Sequence, residues 1–377
     1  MEYKKINELT AVVTGGTPST RKNEYWDNGD IPWLQSGCCQ NCDVDSTEKY
    51  ITKEGYNNSS THMMPADTVM IALTGATAGK VGYLKFEACG NQSITGILPC
   101  ESLNQRYLFF YLLSQREKIL ADCVGGAQAH ISQSYVKNMT IPILAIKEQE
   151  QIVGELTKLS NIVSLRQEEI QQLDNLVKAR FVEMFGDCTN MISLSDLCLI
   201  ITDGTHQSPK FQHEGIPFIL VSNLSKNTVT YDTDKFISAE TYKELYKRTP
   251  IEIGDILLST VGSYGHPAVV VEDRKFLFQR HIAYLKPKSD ILNSYYMHGA
   301  LLSPGCQRQI EEKVKGIAQK TLNLSEIRKI RIPVPSLDLQ KQYADFVHQV
   351  NKSKVAVQKA LDETQILFDS LMQKYFG

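Results

Sequence analysis

The residues of this 377-residue chain whose types and spacing could do chemistry fall in three places. The first is Gly75-Ala-Thr-Ala-Gly79-Lys80, which carries the glycines and lysine of a phosphate-cradling loop. Such a loop needs four residues between its glycines and a Ser or Thr after the lysine to meet the metal that accompanies the nucleotide. Here three residues separate the glycines and Val81 follows the lysine, so the segment reads as a tight turn after a strand. The second place is Cys38, Cys39 and Cys42, which contain a C-x-x-C. Tetrahedral zinc takes four ligands, usually from two such pairs, and the sequence has no second pair, so these thiols read as structural or free. The third comprises His206, His266 and His281, placed in loops. Proton transfer needs a histidine with a fixed partner, and none recurs, so polar surface or contact roles fit better. An Asn-Pro-Pro-Tyr signature of adenine methyltransferases and a helicase-type nucleotide motif are both missing. The expectation is a chain with no catalytic residues that binds neither metal nor cofactor.

The elements that would position these residues come in duplicate. Phe185-Gly186 and Phe376-Gly377 stand 191 residues apart, and the same shift holds without a gap through about sixty residues before them. It carries Gly125 to Gly316, Ala127 to Ala318, Gln128 to Gln319, Ser134 to Ser325, Ile141-Pro142 to Ile332-Pro333, and Gln149 and Gln151 to Gln340 and Gln342. Upstream, residues 69–84 answer 255–270, 91–99 answer 279–287, 31–37 answer 216–223, and 12–18 answer 200–209. Collinear self-similarity of this extent means two copies of one structural unit, roughly 1–186 and 190–377.

Each unit should have two parts. The first reads as mixed α/β, with short strands such as Thr68–Leu73 and Asp255–Thr260 beside Gly-rich turns, a helix at 104–121 or 292–313, and a strand ending in Ile-Pro at 139–143 or 330–334. The second reads as one long helix of about 36 residues. Its apolar positions alternate steps of four and three: Ile152, Leu156, Leu159, Val163, Ile170, Leu173, Val177 and Met184, then Tyr343, Val347, Val350, Val357, Leu361, Phe368, Leu371 and Tyr375. Arg166, Arg180, Lys354 and Thr364 interrupt the two seams. A repeat near 3.5 residues implies a coiled coil, and two matched seams imply that the helices pair with each other, antiparallel if the units relate by an approximate two-fold axis. The expected fold class is α+β: two α/β heads, 1–145 and 187–337, separated by helices at 146–186 and 338–377.

Composition agrees with an ordinary folded chain: 42% hydrophobic and 22% charged residues, with no apolar run long enough to span a bilayer. Nine cysteines and an N-terminus without an apolar segment suggest a reducing cytoplasm. The formal net charge of −2 argues against tight, unaided binding to a polyanion. Residues 1–145 carry 12 Lys+Arg against 14 Asp+Glu, and residues 187–337 carry 18 against 16, so any attraction to phosphate is local.

The ordered motifs resemble the specificity subunit of type I restriction–modification systems. The resemblance rests on DILLSTVGSYGHPAVV (255–270), the G-x-A-Q segments at 125–134 and 316–325, the Ile-Pro strand, the Gln-x-Gln helix and ARFVEMFGD (179–187), and it covers essentially the whole chain. It implies two target recognition domains, each reading one half of a bipartite DNA sequence, with helices that act as spacer and dock two methyltransferase subunits. Motor-nuclease subunits would complete the restriction enzyme, and S-adenosylmethionine and ATP would bind those partners. The rival readings are a coiled-coil scaffold with two protein-binding heads and a self-contained methyltransferase or nuclease.

Base edges in the major groove are read by Arg or Lys on guanine and by Asn or Gln on adenine, from loops that can reach them. The candidates in the first copy are Thr17, Ser19, Thr20, Arg21, Lys22, Thr74, Thr77, Lys80, Gln92, Gln128 and His130. Those in the second are Thr205, His206, Gln207, Lys210, Ser263, Tyr264, His266, Arg280, His281, Gln319 and Lys320. Gln128 and Gln319 recur, which suits backbone positioning. Base choice should lie where the copies differ, at 17–22 against 205–212 and 77–80 against 263–266.

Overall fold

A computed structural model describes residues 2–122, 130–316 and 320–377. The chain forms two compact units, one of residues 1–165 with 360–377 and the other of residues 166–359.

In the first unit the fully buried run Val69–Ala72 is the central strand of a five-stranded sheet. Its order is Val12–Thr14, Ile94–Ile97, Val69–Ala72, Val81–Leu84, Cys42–Val44. A second sheet joins Tyr50–Ile51, Ile31–Leu34 and Cys89–Gly90. The helix Gln105–Ser114 packs against Val69–Ala72 and Val81–Leu84, and Glu2–Lys5 pairs antiparallel with the Ile-Pro strand Thr140–Ile143. The second unit repeats this plan. Its four-stranded sheet runs Cys198–Asp203, Ile282–Pro287, Ile256–Ser259, Pro267–Val269. Its three-stranded sheet joins Phe236–Ile237, Ile216–Ile219 and Leu277–Phe278, and Met191–Ser193 pairs with Arg331–Pro333.

Three details depart from expectation. Each helix expected before the Ile-Pro strand is two. Gln105–Ser114 is followed by Arg116–Ala121, and Ser294–Leu302 by Pro304–Lys313, where the Ser303 hydroxyl caps the new helix and Pro304 opens it. Proline suits the first turn of a helix and ends the one before it. Next, strand register refines the repeat. Val69 stands opposite Ile97 and Ile256 opposite Leu285, so Val69 answers Ile256, whereas Gly79 answers Gly265. The first copy therefore has one extra residue inside the turn flanked by positive-φ glycines, Gly75 and Gly79 there, Gly262 and Gly265 in the second copy. Likewise Val12 answers Ile201 rather than Ile200, because a bulge displaces the start of the second copy's strand. Lastly, the long helices are Ile146–Phe185 and Leu337–Phe376, 40 residues each rather than about 36.

All sixteen apolar seam positions of these helices are buried or half-buried. In the first unit Ile152, Leu156, Met372 and Phe376 enter one core cluster, and the Tyr375 hydroxyl donates to Glu155 at 2.6 Å. In the second unit Phe185 stacks edge-on to Tyr343, while Asp174, eleven residues earlier, meets Lys354, eleven residues later, at 2.5 Å. Within that unit the two helical segments therefore run antiparallel. The seam interruption at Lys354 is an ion pair with the opposite helix rather than a gap.

Candidate nucleic-acid interface

In each unit the end of the first sheet strand and the segment before the Ile-Pro strand line a groove, and in the second unit the turn before the second sheet strand, Arg280 and His281, lines it as well. In the first it is lined by Thr14, Gly15, His62, Leu73, His130, Ile131, Ser132 and Gln133, with a volume of about 670 Å³. In the second it is lined by Asp203, Thr260, Val261, Arg280, His281, Thr321, Leu322 and Asn323, with a volume of about 300 Å³. The backbone bonds that build the two correspond. Gly15 N–H donates to Ile94 and Gly204 N–H to Ile282, both at 3.2 Å. Ile131 N–H donates to Leu73 and Leu322 N–H to Thr260, both at 2.8 Å. Single bridges Thr74–His130 and Val261–Thr321 close the far side. The glycines permit this approach. A Cβ on Gly15 would stand 2.1 Å from the Asn91 carbonyl oxygen, and one on Gly204 2.2 Å from that of Phe278.

The structure brings together part of the expected set. In the first unit the Thr17 hydroxyl donates to Gln92 Oε1 at 2.5 Å, and Thr74 donates to Ser93 at 2.9 Å beside His130. In the second, Arg280 donates through its backbone N–H to Thr205 O at 3.1 Å and through Nε to His281 Nε2 at 3.3 Å. Burial, and after it the Arg280 charge, hold His281 below the ordinary histidine range, so the neutral ring is there to accept. The Lys320 ammonium sits 5.9 Å from the centre of the Tyr264 ring, and Gly262 N–H donates to Lys320 O. His206, Gln207 and Lys210 are exposed on the loop that follows Asp203.

Other expected residues lie elsewhere. Thr17, Thr20 and Gln92 line a separate groove of the first unit with Asn23, Trp26, Asn28, Gln35 and Tyr50, about 780 Å³ in volume. Ser19, Thr20, Arg21 and Lys22 form an exposed turn. Ser19 O accepts from Trp26 Nε1, and bonds to Tyr25 and then Glu24 raise the Lys22 pKa. Lys80 donates to Gln40 at 2.7 Å, Thr77 to the Thr74 carbonyl at 3.4 Å, and His266 Nδ1 faces Asn227. Ser263 is exposed at the tip of its turn. Gln128 and Gln319 lie outside the described residues.

Sequence reading missed Asp203 and Arg248. Asp203 accepts from Arg248 Nη2 at 2.7 Å and meets His206 Nε2 at 2.9 Å, so one carboxylate holds a guanidinium and an imidazole at the groove mouth. The Asp203–His206 spacing was a readable signal, whereas Arg248 joins only through the fold.

The Gly75–Lys80 turn and the cysteine cluster are otherwise engaged. In the Gly75–Lys80 turn, Ala78 N–H donates to Gly75, Gly79 N–H to Ala72 and Lys80 N–H to Thr77, which spends the donors a phosphate would need. Cys39 is buried in an apolar cluster with Leu34 and Val44, and a bond with Cys38 and burial raise its pKa. Among the described residues no group of three His, Cys, Asp or Glu side chains could hold a metal ion, and no helix is long and apolar enough to cross a membrane.

A family model for the type I restriction modification DNA specificity domain matches residues 1–175 and again 189–364. The chain is similar to the MjaIX type I restriction enzyme specificity subunit of Methanocaldococcus jannaschii, 23% identical over 99% of this chain and 92% of that one. It is also similar to the EcoR124I/EcoR124II specificity subunit of Escherichia coli, 33% identical over 44% of this chain, a match that spans only 42% of the relative. Among solved structures, the type I restriction–modification S subunit from M. genitalium matches all of this chain and 96% of its own at a TM-score of 0.56 and 16% identity. A chain from work on complex assembly and conformational transition of the type I R-M system matches all of this chain and 97% of its own at 0.55 and 17%.

Proposed function

The chain belongs to the type I restriction–modification DNA specificity family, and from that membership we propose how it serves a restriction–modification complex. It is the DNA-sequence-recognition subunit. Each head reads one half of a bipartite target, and the two 40-residue helices act as spacer and docking surface for two methyltransferase subunits, with motor-nuclease subunits added for restriction. S-adenosylmethionine and ATP belong to those partners, and this chain contributes position rather than bond chemistry.

The observation that carries this reading is the groove built twice from the same backbone bonds and lined with different side chains. Shared main-chain geometry suits a shared ligand backbone, and differing side chains suit two different short sequences. A net charge of −2 fits a subunit whose partners supply much of the phosphate attraction. The reading is tested by co-expression with a cognate methyltransferase and genome-wide mapping of methylated adenines. A split motif with a fixed gap is expected, and replacing residues 1–140 by those of a relative should change one half alone. Loss of both halves together, or no split motif, overturns it.

A further inference from the structure

The turn that precedes the strand Ile94–Ile97 in one head and Ile282–Pro287 in the other is the same turn. Asn91 N–H donates to Leu34 and Gln279 N–H to Ile219, while Ile94 N–H donates to Asn91 and Ile282 N–H to Gln279, both of the latter at 3.1 Å. This register places Gln92 and Arg280 at one position of the fold. Both side chains are exposed, and each has one polar atom held by a neighbour. Gln92 Oε1 accepts from Thr17, which leaves its second lone pair and its Nε2 donors available on an exposed side chain. Arg280 Nε is spent on His281, which leaves the two Nη groups as a fork with no protein partner among the described residues.

The geometry points to this position as a base-reading position in both heads: Gln92 reads adenine in one half-site and Arg280 reads guanine in the other. The inference rests on the proposed function and adds to it the base that each half-site must contain. The chemistry follows from hydrogen-bond complementarity. A primary amide matches adenine N6 and N7 with one acceptor and one donor, and a guanidinium fork matches guanine O6 and N7 with two donors. Holding one atom of each side chain in advance reduces the rotamer entropy lost on contact. Arg280 faces the mouth where Asp203 fixes Arg248 and His206, so that groove favours acceptor-rich base edges. In the other head Gln92 lines a groove with the amides of Asn23, Asn28, Gln35 and Asn91, where the charges of Glu48 and Lys49 offset each other.

The test is a pair of reciprocal substitutions, Arg280→Gln and Gln92→Arg, in the complete complex with its methyltransferase, with methylated adenines mapped across a genome. Arg280→Gln should convert one guanine of the second head's half-site to adenine, with the preference at that position shifting on the order of ten- to a hundredfold. Gln92→Arg should do the reverse in the first head's half-site. The unaltered half reports that the complex still folds and assembles. Arg280→Ala should relax that single position and leave the rest of the motif intact. The inference is overturned if the second half-site holds no guanine, if Arg280→Ala leaves its guanine preference unchanged, or if either substitution alters the opposite half. A wild-type complex without any split motif would instead remove the proposed function itself.

Discussion

Gln149 and Asn104 are joined across the base of the first head: Gln149 Oε1 accepts the Asn104 backbone N–H at 2.8 Å. Its Nε2 donates to Leu144 at 2.9 Å, and the residue is fully buried. Asn104 in turn caps the helix Gln105–Ser114. Gln340 and Asn293 repeat the relationship in the second unit, again at 2.8 Å, with Gln340 Nε2 donating to Ile291 and Pro335. One amide thus ties the start of a long helix to the cap of a core helix in each copy.

Replacing Gln149 or Gln340 by Ala strands a buried N–H and at least one buried carbonyl. Each unsatisfied group costs about 1–3 kcal/mol. Chemical denaturation of either variant should lose about that much stability, and the double variant should lose close to the sum, since the sites lie in separate units. A loss below about 0.5 kcal/mol would mean that water replaces the amide.

The antiparallel segments of the second unit contain one strong and one weak contact. Tyr343 is 1% exposed and packs on Phe181, Phe185 and Tyr296, so Tyr343→Ala should cost about 3–5 kcal/mol. The Lys354–Asp174 pair is more open to solvent, so Lys354→Ala should cost no more than about 1 kcal/mol. Thermal unfolding of the two variants should separate them clearly. Equal losses would show the ion pair to be far better shielded than its exposure implies.

His281 titrates below its ordinary value of 6.5 because burial disfavours its charged form, with the Arg280 charge a smaller cause. The unfolded chain therefore takes up this proton first as pH falls. The His281 contribution to stability is undiminished above pH 6.5 and declines below it. Protonation also removes the acceptor for Arg280 Nε and adds a like charge, so discrimination at the position read by Arg280 should weaken under the same acidification. Competition binding of the complex to matched and mismatched duplexes at neutral and mildly acidic pH measures this. His281→Asn should flatten the dependence, and an unchanged profile in that variant would place the titration elsewhere.

Asp203 neutralises Arg248 and holds His206 at the groove mouth. Asp203→Asn should free Arg248 for a phosphate, which steepens the dependence of log K on log salt by about one unit and tightens non-specific binding. Fold stability should change by less than about 1 kcal/mol, because Arg248 and His206 are about half exposed. An identical salt slope in the variant would mean that this cluster faces away from DNA.

Much of this architecture was legible in the sequence because it is periodic. The central strands at Val69–Ala72 and Ile256–Ser259, the Ile-Pro strands and both long helices follow from apolar spacing, and the duplication fixes one copy from the other. What escaped has no local signature. Cys42–Val44 is a three-residue strand that pairs in parallel with Val81–Leu84, nearly forty residues away. Nothing in its own composition marks it, and the second copy's four-stranded sheet has no equivalent. Arg248 lies 45 residues from Asp203 in sequence, so only the fold unites them. The break before Pro304 could have been read from the proline, whereas the break at Gln115 has no such marker. Among the candidate contacts, the equivalence of Gln92 and Arg280 was legible from the match of 91–99 to 279–287, and the backbone bonds of the turn bear it out.

The turn bearing Gln92 and Arg280 takes its shape from main-chain bonds to neighbouring strands. A codon change there leaves those bonds untouched, and an exposed side chain away from special backbone geometry typically alters stability by no more than about 0.5 kcal/mol. Mutational drift at this site is therefore thermodynamically cheap and phenotypically sharp. A lineage under pressure from invading genomes can acquire a new address for its own DNA through a single missense event, without first accumulating compensatory changes in the scaffold.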